Sequence, residues 1–127
     1  MDYTECPWPD DFPKDVPPFD ALDAAGIAYR IVKTDPPDES DFVGHNREPY
    51  VKKDKLLTAS DFGTSMFQSL DKIRELKGFH KPLREKRIAC GTLVPIHGKM
   101  SLPNKKTHFE TWLRMKTKIE IAFKVLE

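Results

Sequence analysis

The clearest periodicity in the chain lies near its C-terminal end. In "KTKIEIAFKVLE" (116–127) Ile119, Ile121, Phe123 and Val125 point one way, with Lys118, Glu120 and Lys124 mostly the other. A period of two predicts a half-buried strand with an antiparallel neighbour. "KRIACGTLVPI" (86–96) reads as a buried strand, with Gly91 marking a bulge or close backbone approach and Pro95 its end. "IAYRIV" (27–32), β-branched and aromatic, predicts the first strand. From Ser65 onward the pattern turns helical, with Met66, Phe67, Leu70, Ile73 and Leu76 on one stripe. Ser65 followed by Gln68 has the spacing of a capping box, and Lys77-Gly78 suits the helix end. A shorter helix is expected over "DALDAAG" (20–26), between Asp20 as N-cap and Gly26. "HGKM" (97–100) resembles a turn returning as a short strand through Met100 and Leu102. "THFETWLRM" (107–115) fits a helical turn or a strand.

Two segments carry no period. Residues 34–50 are polar, with Pro36-Pro37 and Gly44, and make a long surface loop of the kind that is functional or mobile. Residues 1–18 place proline at every few positions, which excludes a helix. They read as an acidic arm that Trp8 and Phe12 can anchor by burying their rings. Strands and helices mix without regular βαβ alternation, so the expected fold class is α+β. A small, mostly antiparallel sheet packed by one or two helices would form a domain over 19–127 behind the proline-rich arm.

Composition narrows the class. The 127 residues are 39% hydrophobic and 32% charged, as in an ordinary soluble domain. No apolar run approaches about 18 residues, so no membrane partner is expected. Cys6 and Cys90 make no disulfide framework, and the N-terminus lacks a signal-peptide pattern, so a cytoplasmic location is expected. Net charge is +1, but residues 1–50 carry four Lys+Arg against twelve Asp+Glu, and residues 51–127 carry seventeen against eight. Either the two halves neutralise each other in the fold, or one face suits an acidic partner.

Candidate chemistry follows. Asp61-Phe62-Gly63 matches the magnesium-holding tripeptide of protein kinases, but the glycine-rich loop, paired lysine and catalytic loop are missing. It reads as a turn. His45, His80, His97 and His108 have no ligand spacing, so no metal is expected, and Cys90 in an apolar strand reads as an inert thiol. Lys81, Arg84, Lys86 and Arg87 cluster, and Lys105, Lys106, Arg114, Lys116 and Lys118 interleave with Phe109 and Trp112. Lysines and arginines would neutralise phosphates and aromatic faces would stack on bases, with Lys105, Lys106, Trp112 and Arg114 as binding residues. The alternative is a solvated basic face with the aromatics in the core.

The series "YRIV", "DFGTSMF" and "HFETW" before a terminal strand resembles small bacterial and phage proteins. Its motif layout also resembles the ADP-ribosyltransferase-like fold, which includes RNA 2′-phosphotransferases. The resemblance implies NAD as the substrate dinucleotide, its phosphate or ribose held by Arg30. Thr64 and Ser65 would frame the nicotinamide, and His108 or Glu110 would assist its departure. The Ser-Thr-Ser strand signature and a paired Glu-x-Glu motif of that fold are absent.

Three readings emerge. The first is a regulator or inhibitor that binds a macromolecule, most simply a protein, without a cofactor. The second is an ADP-ribosyltransferase-like enzyme with Arg30, Ser65, His108 and Glu110 as its catalytic residues. The third is a nucleic-acid binder.

Overall fold

A computed structural model describes residues 3–47 and 57–127. Seven strands and one α-helix are present among them. In chain order these are β1 (Leu22–Asp23), β2 (Gly26–Val32), β3 (Thr64–Phe67), α1 (Leu70–Phe79), β4 (Arg87–Leu93), β5 (Gly98–Met100), β6 (His108–Leu113) and β7 (Phe123–Val125). All seven strands join one antiparallel sheet in the order β1-β5-β6-β3-β2-β4-β7. No helix among the described residues is long and apolar enough to cross a membrane.

The sheet curls. Ala28 and Val32 of β2, Met66 of β3, Ala89 and Leu93 of β4, Met100 of β5, Phe109 and Leu113 of β6 and Phe123 of β7 all meet in one buried cluster. A flat sheet of this width could not bring its near-edge strand β5 and its edge strand β7 into one core, so the inner face is concave. Gly91 makes part of this possible: a Cβ there would lie 2.6 Å from the Ala122 carbonyl and from the Phe123 ring. That is the close backbone approach its position in an apolar strand suggests.

The opposite face carries two separate apolar clusters. Beneath α1, Phe67, Ile73 and Ile88 are buried with Tyr29, Ile31, Leu70 and Leu76 against them. Farther along, Val16, Phe62 and Trp112 are buried, and Trp8 and Phe12 pack on them. Residues 3–18 form no helix or strand, yet Cys6 and Val16 are buried. Their prolines leave backbone groups that turns satisfy, such as Phe12 N–H to the Pro9 carbonyl.

Several local expectations change. The segment 20–26 is not a helix: Leu22 and Asp23 pair with Met100 and Lys99, and Ala24 N–H donates to the Gly98 carbonyl. Edge pairing outweighs the helix propensity of its alanines. The helix begins at Leu70 with Ser69 as N-cap, so Ser65, Met66 and Phe67 belong to a strand. Segment 107–115 resolves as β6. The tail alternation is realised only in β7, because Lys116 and Lys118 adopt left-handed backbone and a 3-10 turn over Ile119–Ala122 follows. Ile121, expected to face inward, is 73% exposed. Loop 34–47 winds through 3-10 turns at Glu39–Phe42 and His45–Arg47, and residues 48–50 of the predicted loop lie outside the described residues.

Candidate active site

Between the two outer apolar clusters the sheet face turns polar. Strands β3 and β6 are antiparallel with Ser65 opposite Glu110 and Phe67 opposite His108. Residues two apart on a strand share a face, so Ser65, Phe67, His108 and Glu110 project together. His45 reaches the same point from the loop. Its backbone N–H donates to the Gly63 carbonyl at 3.0 Å, which ties the loop to the start of β3. The next two residues are fixed as well: Asn46 Nδ2 and Arg47 Nε both donate to Asp11 Oδ2, at 2.8 and 2.9 Å. Those bonds, chiefly the one from Arg47, hold the Asp11 carboxyl below its ordinary value against the opposing effect of burial.

Three side chains converge on the Ser65 hydroxyl. Oγ donates to Glu110 Oε1 at 3.1 Å and lies 2.8 Å from His45 Nε2 and 3.0 Å from His108 Nε2. A hydroxyl has one proton and two acceptor lone pairs. With its proton directed to the carboxylate, both imidazoles must present Nε2–H to the oxygen. The arrangement therefore differs from a Ser-His-acid triad, where the carboxylate orients the far nitrogen of the imidazole. Here the carboxylate touches the serine itself, and both histidines act as donors beside it.

Glu110 is also under-satisfied. Its Oε2 is buried and takes no hydrogen bond, and the nearest cation-forming group is His45 Nε2 at 3.3 Å. A buried carboxylate oxygen without a donor is costly and calls for an explanation, such as a catalytic role or a bound water or ion. His108 is held in place by edge contact with the Phe67 ring, centroids 5.2 Å apart.

Arg30 supports this cluster from behind. Strands β2 and β3 pair only at Tyr29–Phe67, so beyond that point their backbones part. The guanidinium fills the gap, with Nη1 donating to the Ser65 carbonyl and Nε to the Asp41 carbonyl, both at 2.7 Å. Asp41 is itself buried and accepts from Lys33 N–H, Thr34 Oγ1 and Asp38 N–H. Burial pushes its carboxyl up, but these hydrogen bonds outweigh burial and leave it below 3.8.

Ser65 and His45 lie in the wall of a cleft of about 510 Å³. Ile31, Phe67, Ile73 and Leu76 give it an apolar side, and Arg30, Lys33, Arg47 and Lys86 give it positive charge. Such a cleft matches the size and mixed lining of small-molecule sites.

Arg30, Ser65, His108 and Glu110 are thus brought together, although they come from three strands spread over 80 positions of sequence. Thr64 points to the other side, buried, with its hydroxyl on the Phe42 carbonyl. His45 had no sequence signal beyond sitting in a long loop. The basic-aromatic group does not assemble as a stacking platform. Trp112 is 4% exposed, packs on Phe62 and donates Nε1–H to the Ala59 carbonyl, so it offers no face to a base. Arg114 lies over the Tyr3 and Trp8 rings and donates to the Cys6 carbonyl. Lys105 and Lys106 are exposed on the β5–β6 turn. Asp61 accepts from Thr58 N–H and Oγ1 and caps the turn at Ala59–Phe62.

No protein-family model, curated protein or solved structure matches the chain. Among the described residues, no three His, Cys, Asp or Glu side chains are grouped to hold a metal ion.

Proposed function

We propose that the chain is an enzyme of group transfer, ADP-ribosyltransferase-like, with NAD as its substrate and Ser65, His45, His108 and Glu110 at the reacting centre. One observation carries this reading: a serine hydroxyl in a cleft wall is within hydrogen-bond distance of two imidazoles and a carboxylate drawn from distant parts of the chain. Such convergence has no use in packing, since it leaves a carboxylate oxygen buried and unsatisfied.

The chemistry asks for these groups. The bond from ribose C1′ to the nicotinamide nitrogen breaks with both electrons leaving on nicotinamide, and C1′ becomes an oxocarbenium-like cation. The Glu110 carboxylate lowers the energy of that cation as it forms. An acceptor hydroxyl or amine then bonds to C1′ and passes its proton to the Glu110 carboxylate. The donor N–H groups of His45 and His108 keep the Ser65 oxygen oriented toward the reacting sugar.

A second reading, macromolecular binding without turnover, is favoured by Lys105 and Lys106. The turn that displays them is braced by Asn104 Oδ1, which accepts from Lys106 and His108 N–H, and it begins β6 at His108 itself. In the enzyme this turn would meet the acceptor; in a pure binder it would meet the partner.

Incubation with NAD separates the two. Nicotinamide release and an ADP-ribose mass increase on self or on added lysate proteins are expected, and both should vanish in Ser65→Ala and Glu110→Gln variants that remain folded. Stable capture of a macromolecule with no NAD consumption would leave the binding reading standing alone.

A further inference from the structure

The charge in the cleft is unevenly distributed. Of the four lysines and arginines among its described lining residues, Arg30 is committed to the Ser65 and Asp41 carbonyls and Arg47 to the Asp11 carboxylate. Lys33 and Lys86 are different. Strands β2 and β4 pair up to Val32 opposite Arg87, and Lys33 and Lys86 lie just beyond the ends of the two strands, both in the cleft lining. They share the face of Ile31 and Ile88, the side on which α1 and the cleft lie. Neither ammonium makes a hydrogen bond or ion pair among the described residues. Asp41, the one carboxylate among the described lining residues, has both oxygens taken by Lys33 N–H, Thr34 and Asp38, and Lys33 adds only through-space attraction to it.

Like charges brought to the same cleft repel each other. A protein that keeps two of them facing one cleft, with no counter-charge among the described residues, gains by binding an anion there. We infer that Lys33 and Lys86 form a phosphate-binding subsite that takes the diphosphate of a nucleotide substrate while its sugar reaches Ser65 and His45. The apolar wall of Ile31, Ile73 and Leu76 lies along the same cleft and suits the ring of that nucleotide. The inference rests on the reading of the cleft as a nucleotide-consuming site, and it adds which residues select the anion.

Binding, measured by titration calorimetry with ADP, adenosine and inorganic pyrophosphate, tests it without turnover. ADP should bind, pyrophosphate should compete with it, and adenosine should bind at least about tenfold more weakly, the scale of one charge-assisted contact. Lys33→Gln and Lys86→Gln should each weaken ADP about tenfold and leave adenosine unchanged. Each variant should also melt at the same or a higher temperature, since it relieves the repulsion. ADP affinity unchanged in both variants, adenosine losing as much as ADP, or no ADP binding by the wild-type protein would overturn the subsite. Lysine-dependent ADP binding without any nicotinamide release would retain the subsite and refute NAD turnover, so the two failures are told apart.

Discussion

Gly63 lies against Glu110: a Cβ at position 63 would stand 2.7 Å from Glu110 Oε2 and 3.0 Å from Glu110 Cβ. The backbone there, φ −86° and ψ 164°, suits any residue, so the glycine is required by the carboxylate and not by the chain path. Alanine at a compatible, open position would stabilise by reducing unfolded-state entropy. At this one it must push Glu110 off the Ser65 hydroxyl. Gly63→Ala is expected to cost about 1–3 kcal/mol, as for other overpacked sites. It should also remove the proposed NAD cleavage; denaturant unfolding and nicotinamide release measure the two effects. Wild-type stability together with wild-type turnover would show that Glu110 has no fixed role.

Arg30 gives a prediction that separates support from substrate contact. It donates to the Asp41 and Ser65 backbone carbonyls, so it braces Ser65 and the Glu39–Phe42 turn. A lysine has no planar fork to span both carbonyls. Arg30→Lys should therefore lose about 1–3 kcal/mol in denaturant unfolding, the cost of leaving a buried acceptor unmade. If Arg30 instead holds the dinucleotide phosphate, as the family resemblance implies, the same variant would raise KM for NAD and leave the unfolding midpoint in place.

The serines show how much could be read from sequence. Ser65-x-x-Gln68 and Ser69-x-x-Lys72 stand four residues apart, and only the first has the full capping-box pattern. The structure uses Ser69, whose Oγ accepts from Lys72 N–H. Ser65 is taken into β3 by its long-range pairing with β6, which no local pattern reveals. Strands β2 and β4 were legible because their composition and their pairing agree. The tail misled because alternation says nothing of the left-handed turns at Lys116 and Lys118. Arg30, Ser65, His108 and Glu110 are singled out only through the resemblance of motif layout, whereas His45 joins them only through the path of a loop. Ser69→Ala should thus cost about 1 kcal/mol of stability with turnover retained. Ser65→Ala should do the reverse, and an exchange of those two outcomes would contradict the assignment.

His97 gives the fold a pH dependence of its own, distinct from any in the site. The side chain is 7% exposed, and Nδ1 accepts from Val94 N–H at 3.0 Å. A proton on Nδ1 would face that donor, and burial already disfavours the charged ring, so its pKa lies below the ordinary 6.5. The sign follows from which state binds the proton. Above 6.5 the ring is neutral folded or unfolded and the stability is fully present. As pH falls below 6.5 the unfolded chain takes a proton that the native state refuses, and stability declines until the lower folded pKa is passed. One proton limits the slope to about 1.4 kcal/mol per pH unit. Unfolding midpoints measured downward from pH 7.5 should fall through this window for the wild-type protein and stay flatter for His97→Gln. Ring titration followed by NMR in the native protein provides the check if the variant folds poorly. A native His97 that protonates at 6.5 or above would refute the buried neutral ring.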